Sequence, residues 1–103
     1  MPTWSNRNYY SNVNVQKYVP LTSGVYRLIY KTGDKYYVFY VGKSNNLERR
    51  LLEHLSSGEE DLCIKRHLRD YECFFRFVEI SSINERNRVE REQIEEYNPS
   101  CNG

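Results

Sequence analysis

Gly24-Val25-Tyr26-Arg27-Leu28-Ile29-Tyr30-Lys31, then Thr32-Gly33-Asp34-Lys35, then Tyr36-Tyr37-Val38-Phe39-Tyr40-Val41-Gly42 is a pair of β-branched and aromatic runs around a break containing glycine. Such a pair predicts a β-hairpin. Both parities carry bulky residues: Tyr26, Leu28 and Tyr30 on one face and Val25 and Ile29 on the other, then Val38 and Tyr40 against Tyr37, Phe39 and Val41. A hairpin apolar on both faces belongs in the middle of a layered domain, with helices on each side.

Downstream, Asn45 or Asn46 can cap a helix whose Leu47, Leu51 and Leu55 recur at i, i+4 and i+8, with Leu52 widening the stripe. Ser56-Ser57-Gly58 ends it. A second helix is expected from Glu59 to about Arg69, with Leu62, Ile64 and Leu68 toward the core. Phe74 to Ile80 alternates as a third strand. A last helix starts at Ser81 or Ser82 and stops at Asn98-Pro99. Upstream, residues 1–23 are expected to form an N-terminal arm, rich in Asn and Tyr over its first twenty positions and without a sustained period. It is read as irregular, with a short extended piece around Val13–Val15, and Trp4 and Tyr9 serve to anchor it rather than to stack on bases. The expected architecture is α/β: a small, mostly antiparallel three-stranded sheet flanked by helices, in the order β-β-α-α-β-α over residues 24–103.

The chain has 103 residues, 39% hydrophobic and 28% charged, which suits one globular domain with a small core. No stretch approaches the roughly 20 apolar residues of a bilayer span, and no signal-peptide pattern opens the sequence, so a protein without a membrane partner is expected in the cytoplasm, or at the nucleoid or nucleus. Cys63, Cys73 and Cys101 are odd in number and far apart, with no CxxC pair. Reduced thiols are expected, rather than a zinc ribbon or a disulfide framework. The net charge of +1 hides an asymmetry: residues 1–50 carry eight Lys/Arg against two Asp/Glu, and residues 51–103 seven against twelve. A basic half suits a phosphate chain.

Three features exceed what a core requires. At about 100° per residue, Ile83, Ile94 and Tyr97 point one way along the last helix, and Glu90 points into the middle of that arc. A carboxylate among core residues needs a cation or strong donors. Glu92, about 160° away, faces water. Arg50 and His54 stand one turn apart beside the leucine stripe and suit an anionic phosphate, although two solvated surface groups are the commoner case. Tyr26 and Tyr40 each lie beside a glycine corner, Gly24 and Gly42, where a backbone or ligand can approach closely.

Taken together, Gly24-Val25-Tyr26 and Tyr40-Val41-Gly42 resemble the paired signature of the GIY-YIG nuclease superfamily, with valine for isoleucine in both. Lys43-Ser44-Asn45-Asn46-Leu47-Glu48-Arg49-Arg50 is similar to the segment ending in that family's essential arginine. His54, Glu90-Arg91-Glu92-Gln93-Ile94 and Tyr97-Asn98-Pro99-Ser100-Cys101-Asn102 follow in the family's order. The resemblance implies a Mg²⁺-dependent DNA endonuclease, with Mn²⁺ as a substitute, in which Glu90 holds the metal and Arg50 clamps the scissile phosphate. Tyr26, Tyr40 and His54 would manage the water and its proton, with the identity of the base left open between Tyr26 and His54. Asn102 would fix the geometry of the site. Lys43, Arg49 and Arg27 are the candidate nucleic-acid contacts. A targeting protein or a second copy of the chain is a further expected partner. The alternative is a catalytically silent module that binds nucleic acid or protein on the same fold.

Overall fold

A computed structural model describes residues 3–103. Eight elements follow in order: β1 (Asn8–Tyr9), α1 (Asn12–Tyr18), β2 (Gly24–Thr32), β3 (Lys35–Ser44), α2 (Leu47–Leu55), α3 (Leu62–Asp70), β4 (Glu72–Glu79) and α4 (Ile83–Tyr97). The sheet has four antiparallel strands in the order β1-β4-β2-β3, one more than expected. The extra strand is two residues of the N-terminal arm, Asn8 and Tyr9, paired with Phe75 and Phe74. Two residues are too few to leave an alternating pattern.

β2 and β3 form the hairpin, turning at Gly33-Asp34, where Gly33 takes φ 59 as the first residue of a two-residue turn. A register shift between Leu28 and Ile29 interrupts the ladder. β2 is central, bonded to β3 on one side and β4 on the other, whereas β3 forms a sheet edge.

The two apolar faces of the hairpin are both used. On one, Tyr26, Leu28, Phe39 and Phe75 pack with Leu47 and Leu51 of α2, Ile64 of α3, and Tyr10 and Val15 of the arm. On the other, Val25, Val41, Val78 and Ile80 pack with Trp4 and with Val89 and Ile94 of α4. The Val13–Val15 segment is helical rather than extended: Ser11 caps the Asn14 amide, and Val15 alone of α1 is buried. Three residues with two valines suggest a strand, but the cap and the burial of Val15 against the core override that propensity.

The helix starts follow their caps. The Asn46 side chain accepts from the Arg49 amide at α2, and Ser82 from the Glu85 amide at α4. α4 ends at Asn98, whose left-handed φ of 44 precedes Pro99. α3 starts three residues later than expected, because the Asp61 carboxylate accepts from the Cys63 and Ile64 amides. That cap leaves Glu59 outside the helix.

The expected reduced thiols are corrected in part. Cys63 at the start of α3 and Cys101 in the tail form a disulfide, with Cα atoms 5.5 Å apart and a sequence separation of 38. Only the fold brings them together. Cys73 remains a free, buried thiol, its pKa pushed up to about 12 by burial.

Candidate active site

The site begins with two glycines. A methyl group at Gly42 would land on the Tyr26 phenol, and one at Gly24 on the Val78 carbonyl and the Leu47 side chain. Gly42 thus admits the Tyr26 ring to the rim of β3, while Gly24 lets β2 lie close to β4 and α2.

Tyr26 is buried at 1% exposure, and its hydroxyl lies 2.7 Å from His54 Nε2. The Tyr26, Tyr40 and His54 rings pack mutually, at centroid distances of 6.1, 5.7 and 5.5 Å. His54 comes from α2, where the stripe of Leu47 and Leu51 turns its ring inward. Its other nitrogen, Nδ1, lies 3.0 Å from Glu59 Oε2, and the second Glu59 oxygen accepts the Asp61 amide at 3.1 Å. Glu59 is buried at 8%. It is the one member of this cluster that sequence reasoning missed. Its signal was the Asp61 cap, which excludes Glu59 from the helix and turns it back toward α2.

Burial dominates the protonation of this cluster. It pushes the Tyr26 phenol far above its ordinary value, with the neighbouring Tyr40 adding to the rise and the Arg50 guanidinium opposing it. Burial and then Arg50 lower the His54 pKa, against the pull of Glu59. The resting state is therefore a neutral phenol beside a neutral imidazole.

Arg50 lies at the open side, donating to Glu53 at 3.2 Å, and it lines a cavity of about 290 Å³ with Glu53, Ser56, Gly58, Glu59 and Glu60. Burial works against its charge, but Tyr26, Glu53, Glu59 and Tyr40 outweigh it and hold the guanidinium protonated. Tyr40 is raised by burial first, lowered by Arg50 and raised by Glu90, so its phenol feels both charged residues.

Glu90 corrects one expectation. It is not buried among core residues: its side chain is 23% exposed, and Lys43 Nζ lies 3.5 Å from Oε1. The helical arithmetic leaned on Ile83, which is 65% exposed, whereas Val89 and Ile94 are the α4 residues that meet the core. Glu90 thus stands at the flank of that face, beside β3. Glu92 faces outward and pairs with Arg88. A single part-exposed carboxylate fits a hard divalent cation such as Mg²⁺, which takes one or two carboxylates and keeps much of its hydration.

Asn102 closes the rim. Its Oδ1 accepts the Val41 amide at 2.8 Å and its Nδ2 donates to the Val41 carbonyl at 2.9 Å, between Tyr40 and Gly42 in sequence. The Cys101 amide donates to the Phe39 carbonyl at 2.8 Å.

The three candidate nucleic-acid contacts separate. Lys43 bonds Asn87 Oδ1 at 2.5 Å and remains 44% exposed, and Arg49 bonds Asn45 with its side chain 56% exposed. Arg27 does not join them. Strand alternation turns it away from Tyr26, and it is buried at 9% exposure, bonded to Gln93 at 2.6 Å, with its guanidinium 3.8 Å above the Trp4 ring. Arg27 and Trp4 are core partners on the α4 side of the sheet.

A family model described as the GIY-YIG catalytic domain matches residues 22–103. Among solved structures, the magnesium-bound GIY-YIG N-terminal endonuclease domain of UvrC from Thermotoga maritima is similar, with a TM-score of 0.66 and 24% identity, covering 87% of this chain and 97% of that one. A point mutant of the same domain bound to its catalytic divalent cation matches with the same score and identity, over 87% and 96%. At that identity the likeness speaks for the fold. Curated proteins give no significant match.

Proposed function

The chain belongs to the GIY-YIG family, and on that premise we propose that it is a metal-dependent DNA endonuclease, hydrolysing phosphodiester bonds with Mg²⁺ as its cofactor. The observation that carries this is the cluster of Tyr26, Tyr40 and His54, with the Tyr26 hydroxyl 2.7 Å from His54 Nε2 and both tyrosine rings packed on the imidazole, one turn of α2 from Arg50.

In this proposal Arg50 binds the scissile phosphate at the mouth of its cavity. Tyr26 and Tyr40 orient the attacking water, with His54 in contact with the Tyr26 hydroxyl. Glu90 holds the cation, which when bound stabilises charge on the phosphate and the leaving 3′-oxygen. Asn102 keeps Tyr40 and Gly42 in place by holding Val41 between them. Lys43 and Arg49 contact the flanking backbone. Residues 24–103 carry the nuclease, and residues 1–23 serve it as an arm.

Incubation with supercoiled plasmid tests the proposal. The protein nicks plasmid with Mg²⁺ or Mn²⁺, EDTA stops it, and Glu90→Ala cuts at least 100-fold more slowly, the lower range for loss of a group stabilising transition-state charge. Equal cutting by Glu90→Ala overturns the site. No cutting of plasmid, branched or single-stranded DNA by the wild type overturns the enzyme and leaves the silent binding module.

A further inference from the structure

Resting on the nuclease reading, we infer that Glu59 is a positioning residue for the hydrolysis: by accepting the Nδ1–H of His54, it fixes the tautomer in which Nε2 receives the Tyr26 phenolic proton. The geometry is continuous. The Tyr26 hydroxyl lies 2.7 Å from Nε2, Nδ1 lies 3.0 Å from Glu59 Oε2, and Glu59 Oε1 is held by the Asp61 amide at 3.1 Å. The His54 side chain has no exposed surface and that of Glu59 only 6%, so the imidazole has no bulk water as an alternative partner for Nδ1. A neutral imidazole has one N–H to give, and a carboxylate can only accept. With Nδ1–H committed to Glu59, Nε2 must accept, and the Tyr26 hydroxyl must donate.

This answers a difficulty in the chemistry. A buried phenol with a raised pKa is a poor standing base. It can still act if its own proton leaves as it takes another. As water adds to phosphorus, the water's proton passes to the Tyr26 oxygen and the phenolic proton passes to His54 Nε2. The bond from phosphorus to the 3′-oxygen breaks, and that oxygen takes a proton from solvent. His54 holds its added proton as an imidazolium between Tyr26 and Glu59, then returns it by the reverse transfer through the Tyr26 hydroxyl to the water that refills the site after product leaves. The groups facing the ring are Tyr26 from β2, Tyr40 from β3, Arg50 from its own helix, and Glu59 and Asp61 from the α2–α3 loop. Arg50 opposes the imidazolium, and the buried Glu59 carboxylate is the closest group that favours it.

Two measurements test the inference. Nitrogen-15 NMR of the His54 ring in the wild-type protein reports the tautomer with no turnover required. Protonated Nδ1 with bare Nε2 is expected, and protonated Nε2 with bare Nδ1 overturns the inference even in an active enzyme. In Glu59→Gln, whose amide can also donate to Nδ1, the Nδ1–H tautomer loses its dominance and kcat on plasmid falls about 100-fold or more, the lower range for general acid–base catalysis. KM stays unchanged, and Glu59→Asp restores part of the rate. An unchanged kcat, or a loss wholly in KM, overturns the inference. Failure of the wild type to cut any DNA instead overturns the nuclease reading, while the tautomer still reports on Glu59.

Discussion

His54 is a buried base whose burial has a price in acid. Its pKa in the folded chain is lowered, chiefly by burial and then by Arg50, from an ordinary value of about 6.5. An unfolded chain therefore binds more protons than the folded one as pH falls through that value. The neutral imidazole's contribution to stability is complete above about pH 6.5 and is lost progressively below it. Thermal unfolding at pH 7.5 and at 5.5 should show a lower Tm at the acid value, and His54→Gln should lessen that fall. An equal fall in the variant would assign the acid sensitivity to other groups. The same residue shows how far a sequence can be read. Its place one turn after Arg50, beside the leucine stripe, left a solvated surface pair the commoner reading, and only the family resemblance made it a candidate. Its partner Glu59 was hidden, because a glutamate at the head of a leucine-rich segment fits a first helical turn equally well, and only the competing cap at Asp61 excludes it.

The disulfide acts at the scale of elements, because it ties the start of α3 to the tail that pins β3. Closing a loop of 38 residues is worth about 4 kcal/mol in the chain-entropy model. Cys101→Ser should therefore lower unfolding stability by a few kcal/mol in urea titrations, and reductant should do the same to the wild type. A variant as stable as the wild type under oxidising conditions would refute the link. The hairpin, α2, β4 and α4 were all legible, since each repeats a period long enough to register and ends in a cap or glycine. The link was not, because cysteine spacing carries no information about a tail folded back onto β3. β1 and α1 were illegible for a related reason: their two and seven residues are held by pairing with β4 and by the burial of Val15. With the disulfide in place, the thiol argument for a cytoplasmic setting no longer holds. Among the described residues no helix is long and apolar enough to cross a membrane.

The charge asymmetry of the sequence becomes a surface in the whole molecule only after Arg27 is removed from it. Lys43 and Arg86 of α4 line a cleft of about 350 Å³ with Ser44, Asn45, Ile83 and Asn87, and Arg49 of α2 reaches its edge by bonding Asn45, while Arg50 lines the separate cavity beside Glu59. On the proposed substrate, Lys43→Ala and Arg49→Ala should each weaken binding and reduce the slope of log K against log salt by about 1, one phosphate contact apiece. Arg27→Ala should leave that slope unchanged and lower Tm instead, having lost Gln93 and the Trp4 ring. A reduced slope for Arg27→Ala would return it to the binding surface. The tail has a consequence beyond the site. β3 is a ten-residue edge strand, and edges of that length recruit strands from other molecules unless something covers them. Cys101 and Asn102 occupy the rim at Phe39 and Val41 with backbone-like hydrogen bonds, the side-chain amide of Asn102 standing in for a peptide group. A chain shortened before Cys101 would thus bare this part of the margin, and the few residues that close the proposed site also shield the middle of β3 from pairing with another molecule.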